Sequence, residues 1–300
     1  MRRFAPLLAL GLLVPALASL DAGAQRADGA LPFLYEVRAG GAPSYLFGTF
    51  HLGVSLEDAL PAPHRIRLSE ARKIIAEMDI AALNPQAMMQ GAVLPPGESL
   101  RAMMPPATWD ALTREVGASM PPALLDRFRP WVPVTMLAET RIAEMGGQAT
   151  SEPMDGRIVR DARDRGARVG FLETADQQLA IMNSIPSRHF VRELGELLDA
   201  GGEGERELRA LLAAYRRGDE EAMTRLVFDP EDVREMPEYY DLLFTRRNRA
   251  WMGQLLPELR GEGGLFVAVG LGHLLGREGL VHALRAEGLA VRRIEPAPRR

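Results

Sequence analysis

Apolar runs bounded by turn residues recur along the chain. "PFLYEVR" and "SYLFGTF" are two β-rich runs separated by "AGGAP", where Gly40-Gly41 reads as a hairpin turn. "HRIRLSEARKIIAEMDI" begins with helical character and ends in "KIIAEMD", an apolar run of strand length. From about Asn84 to Gln148 prolines become frequent, among them Pro85, Pro95, Pro105, Pro121 and Pro130. Between them lie short helical patterns such as "ATWDALTREVG", several opening on proline or a small polar residue. The α/β pattern returns at "DGRIVRDARDRGARVGFLET", a helix leading into the strand "RVGFLE". Helical segments follow through "YYDLLFTRRNRAWMGQLLPELR". The chain closes with "GLFVAVG" as strand, "HLLGREGLVHALRAEG" as helix and "AVRRIE" as strand. This alternation predicts an α/β fold, a central mixed β-sheet flanked by helices, with a helical lobe over about residues 85–150 inserted in its first half.

The first residues change the picture of what is mature. Arg2 and Arg3 precede an apolar stretch that ends in small residues, the layout of a secretory signal peptide. Ala22-Gly23-Ala24 is the expected cleavage site, with Ala16-Leu17-Ala18 as a second candidate. The stretch is short for a span and contains Pro6, Gly11 and Pro15, so no stable membrane span is expected once residues 1–24 are removed. Cleavage leaves one domain of about 275 residues, 25–300, enough to bury a sizeable core. A periplasmic or secreted location is the expectation.

Composition then removes several chemistries. There is no cysteine, hence no disulfide, no thiolate metal site and no cysteine nucleophile. Any metal would be held by His, Asp, Glu or backbone oxygen. The formal charge of −4 becomes −5 without Arg2, Arg3 and Asp21, which gives no electrostatic footprint for nucleic acid.

The candidate chemistry lies where strands end. "YLFGTF" ends at His51, "KIIA" at Glu77, "RVGFL" at Glu173 and "FVAVGLG" at His273. Open α/β sheets bind ligands beyond the carboxyl ends of their strands. Glycine at such a place lets the backbone turn tightly and approach a ligand closely. Two histidines and a carboxylate make a divalent-metal site with open positions for water, and a second carboxylate supplies proton transfer. Spacing alone does not bring His51 and His273 together. The other histidines read blandly. His64 lies among arginines on a helix and reads as solvated, and His189 as surface or partly packed. His282 lies nine residues beyond His273 in the same expected helix and faces elsewhere. The methionines read as packing residues.

"YLFGTFHLG" together with "VAVGLGHLLGREGLVHALRAEGLAVRRIE" resembles the TraB/GumN family, which includes the Tiki metalloproteases. The shared features are two Gly-x-x-His motifs, Gly48-Thr49-Phe50-His51 and Gly270-Leu271-Gly272-His273. A glutamate closes the strand after the first helix (Glu77). "LET" (Leu172-Glu173-Thr174) is followed by Gln177 or Gln178, and an Arg-Asn pair (Arg247-Asn248) lies upstream of the last motif. Pro153 departs from the pattern, standing where a glycine is expected two residues before Asp155, and leaves Asp155 without an assigned role. The resemblance implies a compact α/β fold with both histidines and the glutamate facing one cleft, and metal-dependent peptide hydrolysis as in the Tiki members.

The expectations that follow are these. His51, His273 and Glu77 would hold a divalent ion (Mn, Co, Fe or Zn), with Glu77 either ligand or base. Glu173 would be a second catalytic carboxylate, and Arg247 would hold a substrate carboxylate or the developing oxyanion, with Asn248 beside it in substrate binding. The helical lobe would roof the cleft above a peptide or protein substrate. An alternative is a non-catalytic periplasmic binding protein for a peptide or a metal-containing ligand such as haem. A further alternative keeps hydrolysis without a metal, with a histidine and Glu77 as general base.

Overall fold

β1 (Leu34–Arg38) and β2 (Ser44–Thr49) pair antiparallel, from Leu34 opposite Phe47 to Val37 opposite Ser44, forming the expected hairpin. The structure is a computed structural model and describes residues 32–50, 53–117, 119–145 and 153–294. The expected signal peptide and His51 therefore lie outside the described residues. After β2 come α1 (Leu56–Ala59), α2 (Ala62–Ser69) and β3 (Lys73–Ala76).

The proline-rich stretch is helical. It contains α3 (Pro85–Ala92), α4 (Pro106–Val116), α5 (Pro122–Leu125) and α6 (Trp131–Glu144). The first three of these open on proline, whose missing N–H is no loss in a helix's first turn. Then α7 (Met154–Asp164) leads into β4 (Arg168–Phe171). Helices α8 (Ala175–Ser184), α9 (Ser187–Leu197), α10 (Glu203–Arg217) and α11 (Glu220–Val227) follow. After α12 (Pro230–Glu235) and α13 (Pro237–Tyr240), a π-helical turn at Asp241–Thr245 runs directly into α14 (Arg246–Arg260). β5 (Leu265–Gly270), α15 (Leu280–Ala286) and β6 (Ala290–Arg293) are the last elements among the described residues.

The six strands form one mixed sheet in the order β4-β3-β5-β2-β1-β6. β4, β3, β5 and β2 are mutually parallel, and β1 runs antiparallel to both β2 and β6. All six residues of central β5, "LFVAVG", are buried, as expected of a parallel strand covered on both faces. The register fixes where the parallel strands stop. Ala76 is level with both Phe171 and Ala268, and Thr49 is level with Gly270. The residues that follow these four strands therefore leave the sheet along one edge, and β5, inserted between β3 and β2, makes this edge a switch point.

The lobe rests on the helices that follow β4. α3 contacts α8, α4 and α6 contact α9, and α6 also contacts α10. The Trp131 indole donates to Asn183 Oδ1 (3.1 Å), and the Asn183 amide donates to the Gly91 carbonyl (3.1 Å), tying α6, α8 and α3 together.

Three local expectations differ from the structure. The single helix expected from His273 onward is interrupted by Gly276, at φ +73°, a left-handed conformation that few other residues adopt without strain. His273 instead ends a 3₁₀ turn, Leu271–His273, and His282 is exposed on α15. His64 is buried rather than solvated, with Nδ1 3.3 Å from Arg67 Nη1. His189 is buried and pairs through Nε2 with Glu238 Oε1 at 2.8 Å. Among the described residues, no helix is long and apolar enough to cross a membrane.

Candidate functional site

Four side chains named from the strand ends and the Arg-Asn pair meet at the switch-point edge: Glu77, Glu173, Arg247 and His273. Glu77 directly follows β3, Glu173 stands two residues beyond β4, and His273 closes the turn after β5. Arg247 arrives from α14, whose spacing puts Arg247, Asn248 and Trp251 on one face. The cluster is dry. Arg247 is 4% exposed, Glu77 6% and His273 fully buried.

Arg247 is the hub. Its Nη2 donates to Glu77 Oε2 (2.6 Å) and its Nε to Glu173 Oε1 (2.7 Å). Its Nη1 donates to the Leu243 carbonyl (3.1 Å) and lies 2.9 Å from His273 Nε2. The guanidinium also lies over the Trp251 ring, 4.8 Å from its centroid. Charge-assisted, fork-shaped contacts of this kind are stronger and more directional than neutral hydrogen bonds. Of the neighbouring arginines, Arg246 is exposed and pairs with Asp241, and Arg249 is exposed, so Arg247 is the arginine of the pair that serves the site.

Asn248 sets the chemistry of His273. Its amide nitrogen donates to the carbonyls of Glu278 (2.7 Å) and His273 (3.3 Å). That orientation turns Oδ1 toward His273 Nδ1 at 2.7 Å. An amide oxygen only accepts, so Nδ1 carries the proton and Nε2 keeps its lone pair, facing Arg247. Asn248 is thus committed to His273 and to the turn beyond it. The His273 ring is held between Trp251 (centroids 4.3 Å apart) and Phe244 (5.3 Å).

Glu77 is fixed from three sides. Besides Arg247, it accepts the Gly270 backbone N–H at Oε1 (2.6 Å) and the Gln178 amide at Oε2 (3.1 Å). Gln178 is the residue that the sequence left open. Gln177 closes a capping box with Thr174 at the start of α8, while Gln178 turns inward. A carboxylate only accepts, so Gln178 presents its nitrogen to Glu77. Its buried Oε1 finds no donor among the described residues. Burial pushes the Glu173 carboxyl above the usual range, against the lowering by Arg247 and with added repulsion from Glu77.

The two Gly-x-x-His motifs touch through their first halves. A Cβ on Gly48 would lie 2.6 Å from Leu271 Cδ1 and 3.2 Å from Phe33 Cβ, so the first motif needs glycine there to seat Leu271 of the second. The Gly48 carbonyl accepts from Tyr215 Oη (2.8 Å), and Phe50 stacks on the same ring at 4.8 Å. The Phe50 amide points at Met154 Sδ (3.4 Å), which fixes the start of α7 against β2. Asp155, next to Met154, is buried in that first turn. His51 follows Phe50 and lies outside the described residues. Among the described residues, no group of three or more His, Asp or Glu is arranged to hold a metal ion.

Sequence reasoning reached Glu77, Glu173, Arg247, Asn248 and His273 but missed Trp251, Phe244 and the π turn. Trp251 had a usable signal, its i, i+4 spacing from Arg247. The π turn left none.

The chain is 23% identical over 311 residues to a zebrafish (Danio rerio) protein named metalloprotease TIKI2, covering 85% of this chain. This chain spans 59% of that relative's length. It is 26% identical over 247 residues to the uncharacterized protein YbaP of Shigella flexneri, covering 81% of this chain and 88% of YbaP. No solved structure matches significantly. The family model described as TraB/PrgY/gumN matches residues 33–293, nearly the whole described chain, and the chain therefore belongs to the TraB/PrgY/gumN family.

Proposed function

We propose that this chain is an exported, metal-dependent hydrolase acting on peptide bonds. The observation that carries the reading is the convergence of Glu77, Glu173, Arg247 and His273, buried, at the switch-point edge of the sheet. Buried groups of opposed charge, with one carboxyl shifted upward, are the usual makings of acid–base chemistry. The relative named a metalloprotease supports the same reading.

Among the described residues only His273 and Glu77 of the expected donors adjoin, which falls short of a complete metal site. His273 Nε2, its lone pair fixed by Asn248, lies 3.9 Å from Glu77 Oε1, a nitrogen–oxygen pair of the kind that holds Mn, Fe, Co or Zn. A cation, the Arg247 guanidinium, already sits among these acceptors. On this reading His273 and Glu77 would contribute to holding the ion, with His51 as the further expected ligand. When bound, the ion supplies Lewis acidity and a water of lowered pKa. Arg247 offers donors to the oxygen of a carbonyl under attack. Glu173, whose burial favours the protonated form, gives a proton to the leaving amine.

Purified full-length chain incubated with a peptide library tests this. Cleavage that a chelator abolishes, that one added divalent ion restores and that Glu77→Gln and His273→Ala remove is the expected result. Absence of cleavage with every ion would refute hydrolysis and favour a binding role. For export, the expected mature protein begins at Gln25, checked by the intact mass of material recovered outside the cytoplasm.

A further inference from the structure

We propose that the outer edge of β4 is a binding site for an extended stretch of polypeptide, which adds to the six-stranded sheet beside β4 and leads on to the buried cluster at the strand ends. The inference rests on the peptide reading above and adds how such a substrate is held.

β4 is the outermost strand and pairs with β3 alone. Its backbone parity is fixed. The Leu172 N–H donates to the Ala76 carbonyl at 3.1 Å. Alternate residues share that direction, so Gly170 and Arg168 also turn their N–H and C=O toward β3. The main-chain groups of Val169 and Phe171 therefore point away from the sheet. Among the described residues nothing bonds to them. All four residues of β4 are at least partly exposed, whereas β5 is wholly buried.

The opposite edge of the sheet is treated differently. On β6 the Ile294 N–H donates inward to the Leu34 carbonyl (2.7 Å), which leaves the Val291 carbonyl facing outward. That carbonyl is taken by Arg285, through Nε at 3.1 Å and Nη2 at 3.0 Å. Unpaired edges invite strand addition, and proteins commonly block them. This chain blocks β6 with a side chain and leaves β4 open.

The occupant follows from what the edge offers. Its outward donors and acceptors repeat every second residue, about 6.6 Å apart, and another extended main chain is the partner that meets such a row. A second copy pairing through these four residues alone would bury far less than a stable dimer needs. The edge also adjoins the cluster. Glu173 stands two residues beyond β4 and accepts Arg247 Nε at 2.7 Å. An added strand would lie three inter-strand spacings from β5, about 14 Å, which about four to five extended residues cross. With about four more residues on the edge, a peptide of about eight residues is the shortest that uses both.

The probe is a fluorescein-labelled peptide of about twelve residues, threonine and valine in alternation with a terminal lysine pair. It is titrated by anisotropy into the full-length chain in excess chelator, so binding is read without turnover. On binding, amide exchange at Val169 and Phe171 is expected to slow about tenfold or more, with Gly170 unchanged. Val169→Pro removes an outward N–H without touching the β3 ladder, a place where an edge strand tolerates proline, and should weaken binding about tenfold or more. Should Val169→Pro fail to fold, the exchange measurement on wild type carries the test. Absence of binding, binding that leaves Val169 and Phe171 exchange unchanged, or undiminished binding by a folded Val169→Pro overturns the inference. Protection of the same amides that rises with concentration of the chain alone assigns the edge to a second copy and also overturns it. Edge binding without cleavage under any condition leaves the inference standing and removes hydrolysis.

Discussion

Replacing Glu77 by glutamine tests the site without needing a substrate. The change keeps shape and removes one charge and one acceptor. Glu77 Oε1 accepts the Gly270 N–H at 2.6 Å, and Oε2 accepts Arg247 Nη2 at 2.6 Å and Gln178 Nε2 at 3.1 Å. A glutamine offers one oxygen. Whichever way it turns, its NH₂ faces a donor, and the better orientation sacrifices the Gly270 contact. An unsatisfied buried donor costs about 1–3 kcal/mol. Removing one partner of a buried ion pair costs about 3–5 kcal/mol. Glu173 still pairs with Arg247 at 2.7 Å, which moves the expected loss to the low end, about 3 kcal/mol in all. For a domain of this size that corresponds to a fall in Tm of about 6–12 °C.

Urea denaturation read by circular dichroism, with thermal melts alongside, measures it. The expected result is a lower midpoint with an unchanged slope. Glu262→Gln is the control. Glu262 also pairs with an arginine, Arg72, at 3.2 Å, but its side chain is 76% exposed, and the expected loss is below about 1 kcal/mol. A Glu77→Gln loss no larger than that of the control would refute the reading of Glu77 as a buried, triply held carboxylate.

Three further outcomes are expected. In ¹⁵N-histidine spectra at pH 7.5, His273 should show the Nδ1–H tautomer, and Asn248→Ala should replace it with a mixture of tautomers; an unchanged spectrum would remove Asn248 from that role. Burial pushes the Glu139 carboxyl, on α6, up to about 7. Because the folded value is raised, the charge has no folding cost below the unfolded value near 4.5 and its full cost above about 7. Glu139→Gln should therefore match wild type at pH 4 and be more stable at pH 8 by about 1–2 kcal/mol after allowance for solvent screening, and a constant difference across that range would contradict the burial argument. Gly48→Ala should destabilise by about 1–3 kcal/mol through its clash with Leu271, and Leu271→Ala in the same chain should be less harmful than the two single losses added together.

The strand ends were legible because parallel sheets advertise themselves: "KIIA" and "LFVAVG" are short apolar runs that a polar residue or a glycine terminates. Once those runs are strands, Glu77, Glu173 and His273 must emerge at carboxyl ends, and the sheet order puts those ends side by side. The helix expected after His273 failed for a reason local sequence carries only weakly. Gly276 and Gly279 interrupt an apolar period that otherwise reads as helical, and a Cβ on Gly279 would lie 2.3 Å from the Leu275 carbonyl oxygen. His64 reads as solvated because Arg65 and Arg67 flank it, yet its side chain is buried. Gln177 and Gln178 are equivalent as letters. Only the capping box, which uses Gln177, decides that Gln178 goes to Glu77.

The placement of Arg247 was beyond any pattern of apolar positions, and the π turn is the physical reason. Residues 241–245 widen the helix by one residue just before the arginine, and the Leu243 carbonyl in that turn accepts from Arg247 Nη1 at 3.1 Å. π turns occur mainly as single inserted residues inside α-helices, often at functional sites. Here the turn adds a neutral acceptor to two carboxylates and an imidazole, so that Nη1, Nη2 and Nε are all held at once. A guanidinium held at every nitrogen also fixes Glu77, Glu173 and His273 relative to one another, so the turn that places Arg247 sets the geometry of the whole cluster.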